Sequence, residues 1–180
     1  MSGDQYNNFN LFPQLSYNIV SELMDNEDAE IIWKILKDTS RDAWNIDNLT
    51  RAEKRALIYD GSENQETEFS VFFDSGMDDS IDLQKVFLRI YPYFCIPDTD
   101  YHGIVDIAFE VISHYKINTM SNYTTRIDSV IGALIKSLNG TDIGGLGVMF
   151  FNQSRARMDK LQNFNQPPYK GKILIMSVNL

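Results

Sequence analysis

Apolar positions change their period as the chain proceeds. Leu15, Ile19 and Leu23 recur every four residues, the stripe of a short amphipathic helix. Ile31, Ile32, Ile35 and Leu36 predict a second helix over 29–37, with Asn26 or Asp28 as its cap. Thr50-Arg-Ala-Glu53 is a capping box, in which hydroxyl and carboxylate each satisfy an orphan amide of the first helical turn. That helix is expected to run to about Tyr59 and stop at Gly61.

Beyond residue 68 the period shifts towards two. Residues 69–73 predict a short strand and 85–95 a stronger one. In the latter, Val86, Leu88 and Ile90 share one face, and Phe87, Arg89 and Tyr91 the other. Both faces are largely apolar, so one should meet a helix and the other a neighbour; Pro92 and Pro97 end the strand or force it to an edge. After a turn at 97–103, residues 104–115 set Val105, Ile107, Phe109 and Val111 opposite Asp106, Glu110 and His114, predicting a hairpin with the preceding strand. Ile127, Val130, Ile131, Leu134 and Leu138 mark the strongest helix, over 123–138, closed by Asn139-Gly140. Gly144, Gly145 and Gly147 then form a turn into a strand at 148–152, a long polar loop covers 153–168, and a last strand covers 169–178.

The order predicts an α+β fold: a small antiparallel or mixed β-sheet packed by one long amphipathic helix, with an N-terminal helical region. Residues 1–62 form the arm and helices, and 63–180 the α+β core, together one structural domain. Residues 1–14, polar but bearing Tyr6, Phe9, Phe12 and Pro13, read as an extended arm that a neighbour orders.

Composition adds three constraints. At 180 residues and 43% hydrophobic, the chain supports one core. A net charge of −9 argues against a dedicated nucleic-acid binder, which needs a basic footprint. The charge is split, however: residues 1–110 hold 22 Asp/Glu against 8 Lys/Arg, and residues 111–180 hold 3 against 8. Such asymmetry suits a subunit whose two ends meet different surfaces, including copies of itself. Cys95 is the single cysteine, so no disulfide framework exists within the chain. With no basic-then-apolar leader and no run of about 18 apolar residues, synthesis and use in a cytoplasm, away from membranes, are expected.

Candidate chemistry is sparse. Asp98, Asp100 and His102 offer three hard ligands in one turn, without the spacing or terminal glutamate of a calcium loop. Asp106, Glu110 and His114 share a strand face, but each four-residue step is about 13 Å, too long for direct hydrogen bonds. Cys95 lies in no nucleophile signature. The glycines lead from helix to strand, the reverse of a phosphate loop, and so read as turn residues. No catalytic, cofactor-binding or metal-ligating residue is therefore expected. Arg155, Arg157 and Lys160, in the long loop, are candidates for contact with an acidic partner surface or with DNA phosphates.

Phe109-Glu-Val-Ile-Ser-His114, Arg126-Ile-Asp128, Leu138-Asn-Gly140, Ile143-Gly-Gly-Leu-Gly147 and Tyr169-Lys-Gly171, with the block Asn48 to Gly61, resemble the neck proteins of tailed bacteriophages, the head–tail connector and tail-terminator group. The resemblance covers roughly residues 48–178. It implies a non-catalytic virion protein that forms a homo-oligomeric ring between portal and tail, assembled in the bacterial host cytoplasm. Its partners would be copies of itself, neighbouring portal, connector or tail proteins, and DNA touched non-specifically in the lumen. Arg155, Arg157 and Lys160, with Tyr6, Phe9 and Phe12 of the arm, are then the candidate partner or lumen contacts. Two other readings remain open: a small intracellular adaptor that binds peptides at a sheet edge, and a metal-dependent enzyme using the turn at Asp98, Asp100 and His102.

Overall fold

The computed structural model describes residues 12–62, 68–75, 83–97, 103–151 and 161–179. Its elements are α1 (Leu15–Asp25), α2 (Glu30–Lys37), α3 (Arg51–Arg55), β1 (Val71–Phe72), β2 (Val86–Pro97), β3 (Gly103–His114), α4 (Arg126–Leu138), β4 (Met149–Phe150), β5 (Leu161–Gln166) and β6 (Tyr169–Asn179). The strands form one six-stranded sheet in the order β1-β2-β3-β6-β4, with β5 also paired to β6. Among the described strands β1 pairs with β2 in parallel and the other pairs are antiparallel; the fold is α+β with a mixed sheet.

Strand alternation decides which face is which. Val86, Leu88 and Ile90 of β2, Val105, Ile107, Phe109 and Val111 of β3, and Leu174, Met176 and Val178 of β6 all point to the helical side. There they share one core with Ile19 and Leu23 of α1, Ile32 and Ile35 of α2, and Val130 and Leu134 of α4. Trp33 is fully buried in it, and its indole N–H donates to the Leu23 carbonyl at 3.0 Å, so the ring's one polar atom is satisfied. The expectation that a neighbour meets the second face of β2 needs correcting. Phe87 and Arg89 are already buried there. Phe69, Phe72, Phe87, Ile112 and Tyr169 form a second cluster, with Tyr59 and Phe164 against it.

Several boundaries differ from the sequence pattern for identifiable reasons. The capping box at Thr50 is present, yet α3 ends at Arg55. The next residues bond to β1 instead: Val71 N–H donates to Leu57 O and Tyr59 N–H to Val71 O, both at 2.9 Å. The strand expected at 69–73 shrinks to two residues. β2 continues through Pro92 by a register shift between Pro92 and Phe94. α4 starts at its Thr125 cap, later than expected, because Tyr123 has φ 64 and cannot be helical. The long loop contains β5, which folds back on β6 across Pro167-Pro168. Residues 12–14, expected in the extended arm, instead form a helical turn running into α1, with Phe12 packed on the core.

The start of α4 is tied to the sheet. Thr125 Oγ1 accepts from the Asp128 N–H at 3.1 Å, and the Asp128 carboxylate accepts from Thr125 Oγ1 and from the Lys172 ammonium of β6. Lys172 first, then Thr125, hold this carboxyl below its ordinary range. A carboxylate that titrates lower in the folded state than in the unfolded one stabilises the fold above about pH 4, and the benefit is lost as pH falls through the folded value. Asp128→Asn is expected to cost about 0.5–1 kcal/mol at neutral pH, a modest figure because the pair is partly exposed to solvent. The gap from the parent chain should nearly close at about pH 2. Urea denaturation at both pH values tests this; an equal loss at both would assign the effect to hydrogen bonding alone.

Candidate assembly surfaces

The residues singled out for chemistry do not converge. Asp98, Asp100 and His102 lie outside the described residues, among which no group of three or more His, Cys, Asp or Glu is placed to hold a metal ion. Asp106 is buried and accepts from the Ser177 hydroxyl. Glu110 accepts from the Tyr91 hydroxyl at 2.6 Å, and burial, then this bond, push Tyr91 far above the usual phenol range. His114 is buried between Tyr115, stacked at 4.9 Å, and Tyr169, edge-on at 5.7 Å. Each group thus has a different protein partner. Cys95 is a half-buried free thiol.

Gly144, Gly145 and Gly147 have φ of 58°, 77° and 140° and turn the chain from α4 towards β4. Ile143 N–H donates to Gly147 O at 2.9 Å, and Gly145 N–H to the Asp142 carboxylate at 2.8 Å. An acidic side chain therefore takes the amide that a phosphate would need, in keeping with a structural turn.

The strand order turns the charge split of the sequence into geometry. Strands β1 and β2, from the acidic part of the chain, lie at one side of the sheet; β6, β4 and β5, from the basic part, lie at the other. Exposed Asp60, Glu68 and Asp74 flank β1. Exposed Lys170 and half-buried Lys172 lie on β6, where β5 pairs. Arg155, Arg157 and Lys160 are outside the described residues, but β4 and β5, the strands before and after them, both sit on the same side of β6. Tyr6 and Phe9 are also outside the described residues, whereas Phe12 is committed to its own core.

A surface the sequence reading missed is a groove of ≈ 580 Å³ between α1, α3 and β1. Tyr17, Ile58, Tyr59, Phe69 and Phe73 line it, with Ala52 and Ala56 on one wall and Arg55 and Asp60 present among the lining residues. The available signal was Ala52 and Ala56, four apart on one helical face and too small to fill it. A helix running on to Tyr59 would have hidden it.

These features define an α+β protein with one helical layer on a mixed sheet, with exposed acidic residues flanking β1 and lysines on β6. A model of the YomW family matches residues 25–178, and the chain belongs to that family. It is accordingly a phage-related protein. No curated protein and no solved structure matches the chain. Among the described residues, no helix is long and apolar enough to cross a membrane.

Proposed function

We propose that the chain is a non-catalytic structural protein of a tailed-phage virion, a ring-forming neck subunit of the head–tail connector or tail-terminator kind that joins the portal or head to the tail. The observation that supports this most is the placement of acidic and basic residues at opposite sides of one sheet. A head-to-tail contact between copies brings the two signs together, and a head-to-tail contact that closes gives a ring. Copies of the chain are then its first partners, and portal, connector or tail proteins its second. Arg155, Arg157 and Lys160 meet the neighbour's acidic side or DNA in the lumen.

Cross-linking mass spectrometry on the intact particle tests the reading. Self-links together with links to portal or tail subunits are expected. A chain found only free in infected cells would overturn the proposal and leave a peptide-binding adaptor in its place. Charge exchange tests the contact itself: Lys170→Glu is expected to weaken self-association about tenfold, and adding Glu68→Lys to restore most of it. Sedimentation over a concentration series reads both. Equal weakening by the two changes, without rescue, would separate the charges from the interface.

A further inference from the structure

We infer that the groove between α1, α3 and β1 receives the N-terminal arm, residues 1–11, of a second copy of the chain. This rests on the homo-oligomer reading above and gives it a specific contact. The groove is apolar, with Tyr17 at 48% exposure and Ile58, Tyr59 and Phe73 half-buried around it. Its ≈ 580 Å³ lies within the range of about 300–1,000 Å³ typical of ligand sites, enough for two aromatic side chains and the backbone between them. The arm provides such side chains: Tyr6, Phe9 and Leu11, separated by Asn7, Asn8 and Asn10. Its one charged side chain, Asp4, is complementary to the exposed Arg55 of the groove.

The path of the chain favours a neighbour's arm over the chain's own. Arg51, at the start of α3, reaches Asp25 and Ser21 at the far end of α1. Arg55 and Ala56, at the other end of α3, line the groove with Tyr17, near the start of α1. The chain enters α1 through the turn at 12–14, and Phe12 is seated on the core. To fill its own groove the arm would have to double back immediately before that fixed point. A neighbour's arm carries no such constraint, and each donated arm ties one copy to the next.

The test uses the full-length chain with benzoylphenylalanine in place of Phe9, irradiated as an equal mixture of natural-isotope and nitrogen-15 protein. Mixed-isotope cross-links from residue 9 to residues 52–73 are expected. They should fall about tenfold in a chain carrying Tyr17→Ser and Ala56→Glu, both at exposed positions, so that unchanged thermal unfolding can confirm the fold. Links confined to single-isotope chains would mean the arm fills its own groove. Links elsewhere, or none at the highest soluble concentration, would also overturn the inference. Arm-to-groove links in solution without self-links on the particle would sink the neck reading and leave this contact standing; particle self-links without arm-to-groove links would do the reverse.

Discussion

Replacing Arg126 by methionine is expected to lower the unfolding free energy by about 3–5 kcal/mol. Arg126 opens α4 and has no exposed surface. Its guanidinium faces backbone carbonyls: Nε donates to Ile117 O at 2.7 Å, Nη1 to Asp38 O at 2.7 Å and more weakly to Ile35 O at 3.4 Å, and Nη2 to Ser40 O. Three of these acceptors lie at or just past the end of α2, where a helix leaves carbonyls unpaired and carries partial negative charge. Arg126 thus closes α2 from another helix. Burial pulls its pKa down, with nearby Asp38 acting against the shift, but guanidinium stays charged in proteins. Many buried ion pairs can be exchanged for apolar pairs at little cost, because both partners are removed together. Here the partners are main chain and cannot be removed. Arg126→Lys should recover less than half of the loss, since one ammonium cannot span acceptors spread over Ile117, Asp38 and Ser40. For a chain of this size each kcal/mol shifts the melting temperature by roughly 2–4 °C, so calorimetry resolves both variants. A loss for Arg126→Met below about 1 kcal/mol would show that water replaces the guanidinium without penalty.

Arg126 also shows where the sequence stops being informative. An arginine at the head of an amphipathic helix reads as a solvated residue, because periodicity registers only apolar positions. Its burial follows from α2 ending beside it, a fact of tertiary packing. Where periodicity carried the energetics, the reading succeeded. The stripes of α1, α2 and α4 and the inner faces of β2 and β3 all lie in the main core. β5 was missed because Leu-Gln-Asn-Phe-Asn-Gln has no apolar alternation facing a core; pairing with β6 makes it a strand. The same pairing explains Gly171, over which the Phe164 ring lies so closely that an added Cβ would sit 2.1 Å from it. α3 was drawn too long because the Thr50 box reports only where a helix begins. Its end is decided by β1, whose backbone captures Leu57 and Tyr59. The groove went unseen for the same reason. The acidic and basic parts of the sequence were legible, but their arrangement across the sheet was not, since it depends on β6 returning to the far side of β3.

Gly147→Ala is expected to cost about 2–5 kcal/mol, and Gly145→Ala, two residues away, only about 1–2 kcal/mol. Both glycines have positive φ, 140° and 77°, where a side chain is strained. The difference lies in what surrounds them. A Cβ on Gly145 would meet nothing within 4 Å, so strain is the whole penalty. A Cβ on Gly147 would lie 1.8 Å from the backbone oxygen of Asn179, at the end of β6. A main-chain oxygen in a strand cannot rotate away as a side chain can, so either the turn or the strand end must move. The consequence should be local before it is global. Val178 and Ser177 hold β4 through Met149 and Phe150, so displacing this end of β6 should loosen β4 as well. Hydrogen exchange is therefore expected to quicken at Ile143, which donates to Gly147 O, and at Gly140, which donates to Met149 O. Amides in the middle of β3 should quicken only by as much as the global stability falls. Should both alanine variants lose equal stability, the close approach to Asn179 would not be setting the cost. Backbone strain alone would then account for the glycines, and the β4–β6 corner would be softer than this geometry requires.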